Sequence, residues 1–135
     1  MIGVVDTSAL LRLFVPDGPL PDGFKEFLTG VERAINVAIA PELLVAEAAN
    51  ALNKKRKSGE LSSQESKDLL CDLLTVPIRL FPHRPILMRA LELAEDNGLT
   101  VYDNLYLALA EEHGGVIYSA DRKLIKAASR LGLMA

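Results

Sequence analysis

"GVVDTSALL", residues 3–11, decides how this chain is read. Ile2, Gly3, Val4 and Val5 form an apolar run too short for a helix and suited to a buried strand. Leu10 and Leu11 are apolar again and belong to a short helix. Asp6 stands at the junction, followed by the hydroxyls of Thr7 and Ser8. A carboxylate placed where a buried strand meets a helix needs a reason, because burying an unpaired charge is costly.

Outward from that junction, short apolar strands alternate with helices. "VPDGPLPDG", residues 15–23, is rich in proline and glycine and reads as a surface loop. Phe24–Ala34 carries Phe24, Phe27, Leu28 and Val31 at helical spacing. Val37–Ala40 is a second strand, and Pro41 is suited to open a long helix reaching about Lys57. Ser62 and Glu65 have the spacing of a capping box, for a helix to about Thr75. Ile78–Phe81 reads as a strand and Pro85–Asn97 as a helix closed by Gly98. Tyr102–His113 is a helix, Val116–Tyr118 a strand and Arg122–Leu131 a last helix. The alternation predicts an α/β fold of three layers, helices covering both faces of a mostly parallel sheet of four to five strands. A fifth strand after Gly132 would be very short.

The composition excludes several classes. The 135 residues suit one domain, residues 1–135. The single cysteine, Cys71, allows no internal disulfide, and its leucine neighbours predict a buried thiol. No apolar run approaches the ~20 residues of a membrane span. The N-terminus lacks the form of a signal peptide, so the expected location is the cytoplasm. With a net charge of −3 the molecule as a whole does not attract polyanions, so any nucleic-acid contact rests on a local patch.

In a parallel sheet, ligands gather where the strands' carboxyl ends meet the loops. Four acids fall there: Asp6 after the first strand, Glu47 in the long helix, Asp103 at the start of the buried "LYLALA" helix, and Asp121 after the last strand. Each has a plainer reading. Asp6 and Asp121 are suited to cap helices, although Ser119 is an alternative cap for the last one. Glu47 borders the buried stripe of its helix and reads on its own as a surface acid. Asp103 is harder to dismiss, since no Lys or Arg lies between Arg89 and Arg122 to pair with it locally. Thr100 nevertheless competes as the cap. Carboxylates without histidine or cysteine suit hard cations such as Mg²⁺ or Mn²⁺. One or two such ions would make the site a candidate for phosphate chemistry.

"VVDTSALL", "APELLVAEAANAL", "TVYDNLYLALA" and "IYSADRKL" together resemble the four motif regions of PIN domains, in order and across the whole chain. The chain looks like the VapC toxin of a prokaryotic VapBC toxin–antitoxin pair. The resemblance implies a Mg²⁺- or Mn²⁺-dependent ribonuclease cutting single-stranded RNA to leave 5′-phosphate and 3′-hydroxyl ends. It implies that Asp6, Glu47, Asp103 and Asp121 are the metal-binding and catalytic acids. Thr7, Ser8, Asn104 and Ser119 match supporting positions. It further implies a VapB-like antitoxin and a homodimer.

"NKKRKSGE", residues 53–60, is the densest basic run. Its cations suit a helix C-terminus. Lys54 and Lys57 also share a helix edge with Glu47 and are candidates for RNA contact, as are Arg12, Arg122 and Lys123. Tyr102, Tyr106 and Tyr118 read as core, and the apolar surface of Leu10, Leu11, Leu13 and Phe14 suits either the core or an antitoxin. Two alternatives stand beside the nuclease. A haloacid-dehalogenase-like phosphatase needs a second acid two residues after the first, where this chain has Ser8. A non-catalytic PIN-like binding module would not need four acids. A dinucleotide-binding domain is disfavoured, since no G-x-G-x-x-G follows the first strand.

Overall fold

A computed structural model describes residues 1–135. Four strands form one wholly parallel sheet: β1 (Ile2–Val5), β2 (Val37–Pro41), β3 (Ile78–Phe81) and β4 (Val116–Tyr118), in the order β3-β2-β1-β4. Seven α-helices surround it: α1 (Thr7–Leu11), α2 (Phe24–Glu32), α3 (Leu43–Lys57), α4 (Ser63–Leu73), α5 (Leu87–Asn97), α6 (Val101–His113) and α7 (Arg122–Arg130). Gly3, Val4 and Val5 are buried in succession, as in a strand covered on both faces. The α/β/α layering expected from the alternation is what the chain adopts.

Gly3 lies where the sheet meets its helical cover. A Cβ there would come within 2.5 Å of the Phe27 ring and 2.8 Å of Tyr118. Those two rings stack with centroids 4.6 Å apart. No larger residue fits without displacing that stack.

Several elements differ from the sequence reading, each for a physical reason. Pro41 ends β2 opposite Phe81 instead of opening α3. β1 pairs with β2 only as far as Ile39, so the missing N–H of Pro41 interrupts no bond to β1. The first N–H of α3, on Leu43, is taken by His83 Nε2 at 2.9 Å, a cap supplied from a distant loop. The Ser62–Glu65 capping box forms, with bonds of 3.0 and 2.9 Å, but α4 ends at Leu73. Cys71 is exposed, not buried. It lies two residues from Leu69 and Leu73, about 200° round the helix from each, and so on the outer face. Tyr102 is also exposed, at 62 %, whereas Tyr106 and Tyr118 are buried. No fifth strand forms; the tail contributes one backbone bond to the sheet, from Ile117 N–H to the Leu133 carbonyl at 2.7 Å. No helix is long and apolar enough to cross a membrane.

Candidate functional site

The strand order reverses at β1. From there the chain builds β2 and β3 to one side and β4 to the other. Such a switch point opens a crevice at the strands' carboxyl ends. Asp6 is the first residue beyond β1 there, and its backbone N–H reaches across to the Tyr118 carbonyl on β4 at 3.2 Å.

The Asp6 side chain is 5 % exposed. It caps α1, with Oδ1 accepting from Ala9 N–H at 2.9 Å. Ser8 donates to Oδ1 at 2.8 Å, and Ser119 donates to Oδ2 at 2.5 Å. Ser119 is 2 % exposed and accepts the Asp121 N–H at 2.9 Å, while Ser8 Oγ accepts the Ala120 N–H at 2.8 Å. Two hydroxyls thus fasten the β1–α1 and β4–α7 turns to one carboxylate. Burial raises the Asp6 pKa to about 6, with a smaller push from the nearby Asp121 charge. The bonds from Ser119, Ala9 and Ser8 oppose that rise without cancelling it.

Glu47 faces the same region from α3 and is half-buried. Its Oε1 accepts from the Tyr106 hydroxyl at 2.6 Å and from Thr7 at 2.9 Å. Burial and the neighbouring Glu47 carboxylate hold the Tyr106 phenol well above its usual pKa, so it stays a donor. The sequence reading placed Tyr106 in the core and missed this role. Its only signal was its place one helical turn after Asp103.

Asp103 is half-buried in the first turn of α6, which Thr100 caps. The Asp103 carboxylate accepts no hydrogen bond. Asp121 caps α7, accepting Lys123 N–H at 2.9 Å and Leu124 N–H at 3.4 Å on Oδ1. Ser119 is not that cap; its hydroxyl is committed to Asp6. Asn104 is fully buried and bonded to Asn97 and to the Thr100 carbonyl, so it braces the turn before α6 and touches none of the acids.

None of the ion pairs in the structure involves Asp6, Glu47, Asp103 or Asp121. No three His, Cys, Asp or Glu side chains stand close enough together to hold one ion. In kind, however, the residues fit a hard divalent cation. The donors are all oxygen, and Glu47 Oε2, Asp121 Oδ2 and both Asp103 oxygens are free of protein hydrogen bonds.

The candidate RNA contacts lie on separate elements. Lys54 and Lys57 are exposed in the last turns of α3, whose Lys55 is paired instead with Asp17 at 2.8 Å. Arg122 and Lys123 are exposed at the start of α7. Arg12 donates to the Pro19 carbonyl at 2.8 Å and braces the 15–23 loop.

The PIN domain family model matches residues 3–130. Ribonuclease VapC3 of Pyrobaculum aerophilum is 34 % identical over 126 residues, 90 % of each chain. The crystal structure of PAE2754 from Pyrobaculum aerophilum aligns with a TM-score of 0.70 at 27 % identity, covering 95 % of this chain and 88 % of that one. Mycobacterium tuberculosis VapC20, described as a sarcin-ricin-loop-cleaving toxin, aligns with a TM-score of 0.63 over 93 % of this chain and 94 % of its own. At 15 % identity that match speaks for the fold alone. These matches set aside the dehalogenase-type phosphatase. The chain belongs to the PIN domain family.

Proposed function

We propose that this protein is a Mg²⁺- or Mn²⁺-dependent endoribonuclease that hydrolyses phosphodiester bonds of single-stranded RNA, and that it is the toxin of a type II toxin–antitoxin pair. The observation that carries the metal reading is Asp6: a buried carboxylate at the sheet's switch point, with no cation paired to it and other acids facing the same region. The ribonuclease reading draws support from the likeness to Ribonuclease VapC3.

Asp6, Glu47, Asp103 and Asp121 are the residues that would hold one or two ions. Bound there, a divalent cation supplies Lewis-acid stabilisation of the phosphoryl oxygens and lowers the pKa of water. The chain's own part is positioning. Ser8, Ser119 and Ala9 N–H fix the Asp6 carboxylate; Tyr106 and Thr7 fix Glu47 through Oε1 and leave Oε2 turned free. Asp121, exposed and with Oδ2 free, supports a second ion or takes the proton of the attacking water. Water adds to phosphorus in line as the bond to the 3′ oxygen breaks; that oxygen takes a proton from solvent, giving 5′-phosphate and 3′-hydroxyl ends. We further propose a VapB-like antitoxin partner, a homodimer and a cytoplasmic location.

Incubating the purified protein with mixed single-stranded RNAs tests this reading. Cleavage should require Mg²⁺ or Mn²⁺, stop with chelator and be nearly absent in Asp6→Asn. Equal cleavage by Asp6→Asn would remove the acids from the chemistry. RNA binding without cleavage would leave a non-catalytic module.

A further inference from the structure

A cavity of about 400 Å³ opens between the 15–23 loop and the β4–α7 turn. Its wall includes Ser119 and Ala120, so it shares a side with the Asp6 site: Ser119 donates to Asp6, and Ala120 N–H is bonded to Ser8. Half of its lining residues are hydrophobic, Ile125 of α7 and Met134 among them. Its charged lining residues are few and of definite kind, Arg12, Arg122 and Asp22, beside Ser119, whose hydroxyl is committed to Asp6. Small-molecule sites have this make-up, an apolar body of about 300–1,000 Å³ with a few placed polar groups.

We infer that this cavity receives one nucleotide of the RNA beside the scissile bond. The inference rests on the nuclease reading and adds base selection to it. The chemistry divides cleanly. A base is flat and largely apolar on its faces, which suits the aliphatic walls. Its exocyclic amine or ring N–H finds an acceptor in Asp22, and the phosphate finds fork-shaped donors in the guanidiniums. Arg122 lines the cavity and directly follows Asp121, so the cavity borders the proposed site through the β4–α7 turn. Two arginines line the cavity against one aspartate, which favours an anionic occupant, and neither arginine pairs with an acid of the chain. Arg12 is already held against the Pro19 carbonyl, which orders that wall before any ligand arrives.

Two experiments test the pocket separately from the chemistry. In the first, metal-free protein is titrated with each of the four nucleoside 5′-monophosphates and followed by amide chemical shifts. The amides of residues 19–22 and 119–122 should move, and one base should bind best. Ile125→Trp fills the cavity from a half-buried position and should weaken that binding about tenfold. Shifts absent from those amides, or undiminished in Ile125→Trp, overturn the pocket. In the second, a randomised RNA pool is cut with Mg²⁺ and the ends are sequenced. Wild type should favour one base at a fixed distance from the cut, and Asp22→Ala, which removes the acceptor, should reduce that preference about tenfold. An unchanged preference overturns the base-reading role. A wild type that binds the nucleotides yet cuts no RNA sinks the nuclease reading and leaves the pocket standing.

Discussion

The Tyr106 hydroxyl lies 2.6 Å from Glu47 Oε1, joining α6 to α3 beneath the candidate site. Thr7 donates to the same oxygen, so three elements converge on one carboxylate atom. Tyr106 is 2 % exposed, and its ring is core while its hydroxyl is not. Its tip serves the site.

Removing only that tip separates the two roles. Tyr106→Phe keeps the ring and loses the bond, costing about 1 kcal/mol of stability. Thr7 alone would then hold Glu47. RNA cleavage at saturating Mg²⁺ should fall by roughly tenfold or more. A variant that melts slightly lower yet cleaves at the wild-type rate would show that Glu47 needs no such support.

The pH dependence follows from Asp6. Its folded pKa of about 6 lies above the ordinary 3.8, so the folded protein keeps a proton that the unfolded chain has released. The group's stabilising contribution is complete below the unfolded value and is lost as pH rises through the folded one. Between about pH 4 and pH 7 this amounts to about 3 kcal/mol. Asp6→Asn keeps an acceptor for Ala9 N–H and never carries the charge. Urea titrations in chelator should show a flatter profile over that range for the variant. Parallel profiles would mean that Asp6 is charged without penalty.

Gly3 tests the packing under the site. Adding a Cβ forces the Phe27–Tyr118 stack apart, and Tyr118 precedes Ser119 directly. Gly3→Ala should cost about 1–3 kcal/mol, the usual range for overpacking. Thermal melts check the cost. A melting point equal to wild type would mean that the two rings move aside freely.

Much of this was legible in the residues because it is local. Short apolar runs predicted four strands, the Ser62–Glu65 spacing predicted its capping box, and the acids after β1 and β4 are where the alternation put them. What the sequence reading missed depends on partners far along the chain. Pro41 has the local chemistry of a helix start, but pairing with Phe81 keeps it in the sheet. Cys71 sits among leucines, but only one face of α4 is covered. The His83 cap on Leu43 spans 40 residues, and the Tyr106–Glu47 bond spans 59. No local pattern announces either.

The basic end of α3 predicts a salt effect. Lys54 and Lys57 are exposed, and neither pairs with an acid. If they meet RNA phosphates, changing both to Ala weakens binding at every sequence. The slope of log K against log salt should then fall by about 0.7 per lost contact on a single strand. Fluorescence titrations across a salt series measure it. An unchanged slope returns both lysines to their helix C-terminus.

Asp121 carries two roles that one substitution separates. As a cap it binds two N–H groups of α7 through Oδ1, and Asn caps about as well as Asp. As an ion ligand it needs its charge, which Asn lacks. Its charge also bears on the buried Asp6, so neutralising it relieves the metal-free protein. Asp121→Asn in chelator should therefore melt no lower than wild type. Added Mn²⁺ should stabilise wild type by about 2.7 kcal/mol at one hundred times its dissociation constant. The variant should gain much less and cut RNA slowly. A wild type that gains nothing from Mn²⁺ would leave the four acids without a shared ion. A variant that gains as much as wild type and cleaves normally would reduce Asp121 to its cap.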